Sequence, residues 1–158
     1  MERVTKTFEI NAPVRKVYNQ WTQFEDFPRF MDGVKEVRQP DDTHLHWKAS
    51  IAGKDKEWDA EIVEQVPDER IAWRSTAGVL NAGTVRFEPV SPDKSRVHLT
   101  MEYEPKGLVE NVGDAVGMVD RKVEKAVQDF KKLIEERGQE TGAWRGEVHG
   151  GRKTGERH

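Results

Sequence analysis

From Val34 to Tyr103, hydrophobic and polar residues alternate one by one, and this alternation constrains the fold more than any other feature. A period of two puts alternate side chains on opposite faces of a strand. The clearest segments are HLHWKASI, KEWDAEIVEQV, RIAWRST, GTVRFEPV and RVHLTMEYEP. Turn sequences such as VPDER and SPDKS separate them. The pattern predicts an antiparallel meander of six strands with one apolar and one polar face.

Segments with different hydrophobic periodicity lie on both sides of the meander. VTKTFEI near the N-terminus alternates like a strand, and apolar residues between Val14 and Met31 recur every three or four positions. Pro28 interrupts that spacing, which predicts two short helices in succession. After Gly107 an apolar stripe runs from Val112 to Ile134 and predicts a helix of roughly 30 residues. The fold class is therefore α+β, with a curved sheet that grips a long C-terminal helix.

The chain divides by composition near residue 137. Residues 138–158 hold 6 of the 13 glycines and only three apolar side chains, namely Ala143, Trp144 and Val148. Such a segment cannot form a core of its own. We expect one domain over 1–137 and a polar, Gly-rich, flexible C-terminal tail over 138–158.

Composition also excludes several classes of function. Lys and Arg total 26 against 29 Asp and Glu, so the basic excess typical of nucleic-acid binding is missing. There is no cysteine, no P-loop and no G-x-G-x-x-G motif, and we expect no cofactor. No apolar leader or window of 18 apolar residues occurs. We expect a cytoplasmic protein that is not membrane-embedded, although transient membrane contact and the oligomeric state stay open.

The apolar face of the meander is unusually aromatic. Trp47, Trp58 and Trp73 lie on three successive predicted strands with the same parity. Packing alone would explain any one of them, since a buried Trp removes on the order of 200 Å² from water. Gly113 and Gly117, however, remove side-chain volume near the start of the long helix. We therefore favour an apolar cavity between sheet and helix, with Tyr103 and Lys6 as its polar groups.

The residues expected to bind the ligand come from the helical segment after the first strand, the meander and the last helix. They are Phe27, Phe30, Met31, Trp47, Trp58, Trp73, Phe87, Met101, Tyr103, Val112, Val116 and Met118.

A metal site is a weaker hypothesis. His44 and His46 project from one face of a strand, and His98 could share that face. Zinc sites usually need three or four ligands, and no further one is placed by the pattern. We interpret these histidines as solvated surface and expect no metal.

The segment INAPVRKVYNQWTQFEDFPRFMDGVKEV resembles the opening of the polyketide cyclase/dehydrase and lipid-transport branch of the START-like (SRPBCC) superfamily. The later positions Trp73, Gly78, Gly83, Phe87 and Pro105 agree, and the resemblance covers about 1–137. It implies a helix-grip fold, in which a seven-stranded antiparallel sheet surrounds the C-terminal helix and leaves a deep hydrophobic cavity. Members include aromatase/cyclases and coenzyme Q-binding proteins.

Two functions remain open. The first is a carrier or sequestering protein for a lipid, isoprenoid quinone or aromatic polyketide-like ligand. The second is a polyketide cyclase, aromatase or dehydratase, which needs a positioned proton donor or acceptor. The inward parity offers Tyr103 and Ser75 but no clear His or carboxylate, so binding is favoured and Tyr103 is the one catalytic candidate. A third alternative, a domain without a ligand, predicts a filled interior.

Overall fold

A seven-stranded antiparallel sheet forms the framework of the protein, as the alternation predicts. The computed structural model describes residues 2–31, 33–51, 53–104, 114–137 and 140–154. The strands of the framework are β1 (Glu2–Ile10), β2 (Val34–Asp41), β3 (His44–Ile51), β4 (Lys54–Val66), β5 (Arg70–Gly78), β6 (Asn81–Ser91) and β7 (Lys94–Tyr103).

The strand order is β1-β7-β6-β5-β4-β3-β2. Strands β2 to β7 therefore pair with their neighbours in sequence, which is the predicted meander. Strand β1 lies beside the last strand of the meander, with Phe8 opposite Val97. Bulges in β4 at Asp59/Ala60 and Ile62/Glu64 shift its register with β5, and such bulges increase the local twist of a sheet. The helix-grip architecture is confirmed.

Two short helices follow β1, as predicted. The α-helix α1 (Val14–Trp21) is succeeded by a 3₁₀ helix (Phe24–Arg29). Pro28 lies inside the 3₁₀ helix rather than at its boundary. A 3₁₀ helix of six residues has few backbone hydrogen bonds, so the missing N–H of a proline costs it little.

The long helix α2 (Ala115–Arg137) packs on the concave face of the sheet. Its buried residues are Val119, Val127, Phe130 and Ile134, which all belong to the predicted stripe. Within the described residues, α2 has 23 residues. The beginning of the stripe at Val112 lies outside the described residues.

Aromatic side chains fill one end of the concave face. Trp21 of α1 contacts Phe130 of α2 edge-on, with ring centroids 4.7 Å apart. Phe87 of β6 contacts Trp21 at 6.0 Å and Tyr18 at 5.2 Å. This part of the face is therefore densely packed.

The structure departs from the sequence prediction in residues 140–154. Instead of a flexible tail, residues 140–154 pack against the body and form two short strands, β8 (Glu147–His149) and β9 (Arg152–Thr154). Strand β4 is longer than its neighbour β3, whose pairing with β4 stops at Glu61. Strand β8 occupies the vacant edge beyond that point, with Val148 opposite Gln65. Val148 is completely buried in the main core.

Polar side chains also hold this segment, which we call the C-terminal strap (140–154). The guanidinium of Arg145 donates hydrogen bonds to Asn19 Oδ1 at 2.6 Å and Asp68 Oδ2 at 2.7 Å, and it lies over the ring of Tyr18. The backbone N–H of Thr141 donates to Gln20 Oε1 at 2.8 Å. Three apolar residues are too few for an independent core, but two of them, Trp144 and Val148, extend the existing one.

Candidate ligand-binding cavity

A cavity of about 210 Å³ lies between the sheet, the 3₁₀ helix and α2. Its wall is almost entirely apolar. The lining residues are Trp21, Phe24, Phe27, Met31, Gly33, Val34, Leu45, Trp47, Ala49, Ser50, Ile51, Trp58, Ile62, Ile71, Trp73, Asn81, Leu99, Met101, Val119, Lys122, Val123 and Ala126.

Three tryptophans of the sheet form the aromatic part of this wall. Trp47 and Trp58 are paired across β3 and β4, and their indoles stack with centroids 5.8 Å apart and planes 7° from parallel. Phe27 of the 3₁₀ helix meets Trp47 edge-on at 5.8 Å. The third tryptophan is Trp73 of β5, and the indoles of all three tryptophans are only half-buried. Part of their surface therefore remains free to contact a ligand.

Trp73 is held in place by two residues of β6. Its Nε1–H donates to Asn81 Oδ1 at 3.3 Å, which satisfies the polar atom of the indole. Its ring lies across Gly83, the residue opposite Trp73 in the register, where any Cβ would collide with the indole. Gly83 thus allows Trp73 to lie close to the neighbouring strand.

The polar groups of the wall are few. Ser50, Asn81 and Lys122 are the polar side chains on it. Asn81 is buried, and both polar atoms of its side chain already form hydrogen bonds. Its Oδ1 accepts a hydrogen bond from Trp73, and its Nδ2 donates one to the carbonyl of Val79 at 3.1 Å. Lys122, on α2, is half-buried and is the one charged residue of the wall in the described ranges.

The structure brings half of the expected ligand-binding residues together. Those on the wall are Phe27, Met31, Trp47, Trp58, Trp73 and Met101. Those described but off the wall are Phe30, Phe87, Tyr103, Val116 and Met118. Val112 lies outside the described residues.

Two aromatic residues that were expected on the cavity wall, Phe87 and Phe30, pack against other aromatic side chains instead. Phe87 has the expected inward parity, but it faces the filled end of the concave surface, beneath Tyr18 and Trp21. Phe30 covers the cavity residue Phe27, with centroids 5.3 Å apart, and contacts Phe130 at 5.6 Å. Alternation along a strand predicts which face of the sheet a side chain is on, but it does not predict where on that face the cavity lies.

Of the other absent residues, Tyr103 and Met118 belong to a second, small core, whereas Val116 does not. Tyr103 is completely buried beside Val4 and Val119, and Met118 packs against the same cluster. Burial raises the pKa of Tyr103, so its hydroxyl stays protonated at neutral pH. Val116, one turn before the first buried residue of α2, is 43% exposed.

The predicted polar groups and glycines also have other roles. Lys6 pairs with Asp120 at 3.0 Å and with Glu124 at 3.5 Å, outside the wall. Gly117 accommodates a local contact: its N–H donates to Asp114 Oδ1 at 3.1 Å, and a Cβ there would collide with that carboxylate. Gly113 lies outside the described residues.

Sequence reasoning missed several residues of the wall, above all Lys122. On a helix, positions three or four apart share a face. Lys122 is three residues after Val119 and four before Ala126, and both of these line the cavity. The position of this lysine beside the apolar stripe could therefore have predicted that Lys122 lines the cavity.

The family follows from comparison with known proteins. Residues 10–132 match the model of the family described as polyketide cyclase/dehydrase and lipid transport. The chain belongs to this family. It is 49% identical over 149 residues to a Streptomyces lincolnensis protein described as an uncharacterized 17.2 kDa protein, and the alignment covers 94% of this chain and 99% of that one.

Solved structures similar to this member of the family share its fold at low identity. The Zhui aromatase/cyclase of Streptomyces sp. R1128 is 16% identical with a TM-score of 0.71, over 90% of this chain and 99% of that one. A START superfamily protein of Mycobacterium smegmatis is 18% identical with a TM-score of 0.65, over 85% and 95%.

The histidines do not assemble into a metal site. His44 pairs with Asp41 at 2.8 Å, His46 with Asp59 at 2.6 Å, and His98 with Glu88 at 3.5 Å. In the described ranges, no three His, Asp, Glu or Cys side chains are arranged to hold a metal ion. None of the helices described here is long and apolar enough to span a membrane.

Proposed function

We propose that this protein binds a hydrophobic small molecule in the cavity between the sheet and α2, as a carrier or sequestering protein. The single observation that carries the proposal is the cavity itself, with its stacked Trp47 and Trp58 and its nearly unbroken apolar wall. Apolar cavities exclude water and gain free energy when an apolar ligand replaces the empty volume. Family membership supports the same function.

The volume limits the ligand. About 210 Å³ exceeds the roughly 150 Å³ that accommodates a benzene ring, but it is below the roughly 300 to 1,000 Å³ of pockets for drug-sized molecules. One or two aromatic rings, or a short acyl chain, fit without movement of the wall. A longer ligand such as an isoprenoid quinone would leave most of its chain outside.

A cyclase or dehydratase is the alternative, and the Zhui aromatase/cyclase is a neighbour that supports it. Such chemistry needs a group that can donate or accept a proton within reach of the substrate. On the described part of the wall there is no His, Tyr or carboxylate, and the candidate Tyr103 is buried elsewhere. Ser75, the other inward polar residue, accepts a hydrogen bond from the N–H of Asn81 at 3.0 Å. These observations favour binding.

A first experiment identifies the ligand. The protein is purified, extracted with organic solvent and analysed by mass spectrometry, with a mock purification as the blank. A stoichiometric hydrophobic compound supports a carrier. Turnover of an added poly-β-ketone mimic, followed by chromatography, would instead support the enzyme.

A second experiment tests the cavity directly. Ala126→Leu places three additional carbons into the cavity from α2, whereas Ala77→Leu changes an exposed position on β5. We expect Ala126→Leu to abolish binding of the extracted compound and Ala77→Leu to leave it unchanged. Equal binding by the two variants would show that the ligand lies elsewhere.

A further inference from the structure

No described carboxylate neutralises the charge on the cavity wall. Among the described residues, no carboxylate forms an ion pair with Lys122. The positions three and four residues away on α2 are Met118, Val119, Lys125 and Ala126, so none of them is acidic.

Three other cations on or beside the same part of α2 are paired. Lys125 Nζ lies 2.7 Å from Asp129 Oδ2, and Arg121 lies 3.7 Å from Asp114. Lys6 of β1 forms ion pairs with Asp120 and Glu124, which lie on either side of Lys122 in the sequence. These carboxylates therefore already have a partner, and within the described part of the chain the ammonium of Lys122 remains available.

A lysine at such a position has a consequence for binding. Its methylene stem can cover apolar surface while the charged head stays at the edge. Beside an apolar wall the effective dielectric is lower than in bulk water, so a cation there attracts an anion more strongly than it would in water. A neutral ligand gains less from this group, because it carries no opposite charge.

We infer that the ligand is a hydrophobic acid whose apolar part contacts the tryptophans and whose carboxylate, or equivalent anionic oxygen, pairs with Lys122. The inference rests on the proposed function and specifies its ligand class. An aromatic acid and a short fatty acid share this chemistry. Hydrogen bonds to charged groups are worth more than neutral ones, so the acid should bind about tenfold more tightly than its alcohol.

The test uses isothermal titration calorimetry with 2-naphthoate and its neutral analogue 2-naphthalenemethanol. The wild-type protein should bind the acid about tenfold more tightly. Lys122→Met should abolish this preference, and Lys122→Arg should keep it. Lys125→Met, which removes a paired lysine of the same helix, should behave as wild type.

The outcomes separate the two proposals. Equal affinity for acid and alcohol in the wild type, or a preference that persists in Lys122→Met, overturns the role of Lys122 and leaves the binding function intact. Binding of neither compound overturns both. A preference that declines with added salt in the wild type supports the ion pair, because screening weakens it.

Discussion

Val148 in β8 tests whether the C-terminal strap is part of the fold. Val148→Ala removes two carbons from a completely buried side chain. At about 0.8 kcal/mol per buried methylene, the lost transfer free energy is about 1.6 kcal/mol. The cavity left behind adds to it, so we expect the free energy of unfolding to fall by about 2 kcal/mol. For a domain of this size, that lowers Tm by about 4 to 8 °C.

The matched control is Val90→Ala, which makes the same change in β6 at a side chain that is 43% exposed. Its cost should stay near 0.5 kcal/mol, as is usual for surface positions. Equilibrium urea denaturation followed by tryptophan fluorescence measures both. In limited trypsin digestion, Val148→Ala should also accelerate cleavage after Arg145. If the two variants are equally stable, the strap does not contribute to the core, and the flexible tail predicted from composition would be the better description.

Two further predictions follow from the site and the surface. Gly83→Ala would force the indole of Trp73 out of its position, so it should weaken binding of 2-naphthoate in calorimetry and cost roughly 1 to 3 kcal/mol of stability in urea; a variant with unchanged affinity would contradict this packing. The hydrogen bond with Asp59 raises the pKa of His46 above its ordinary value of 6.5. This pair therefore contributes its full stabilisation of the fold below pH 6.5 and loses it as the pH rises through the elevated pKa. NMR titration should show this elevated pKa, and Asp59→Asn should lower it; an unchanged pKa in the variant would assign the shift to another group.

Much of the architecture was predictable because it depends on local periodicity. Alternation specified the meander, and the 3–4 spacing specified the short helices and α2. These patterns follow from which face of a strand or helix must avoid water. The same logic correctly assigned Trp47, Trp58 and Trp73 to one face of the sheet.

The site was less predictable, because a cavity depends on where packing stops. Phe87 and Trp73 are equivalent by parity, yet α1 covers the first and leaves the second at the cavity. The strap was missed for a related reason: composition describes whether a segment can form its own core, not whether it completes another one. Val148 lies on the strand that pairs with the part of β4 beyond β3.

The sequence by itself determined the element order, the apolar faces and the family resemblance, since each is encoded in the spacing of nearby residues. The tertiary structure alone decided which inward residues line free volume, that Lys122 meets that volume, and that residues 140–154 belong to the fold. The physical reason is that packing, burial and charge pairing arise between segments distant in the chain, and no local pattern records which of them meet.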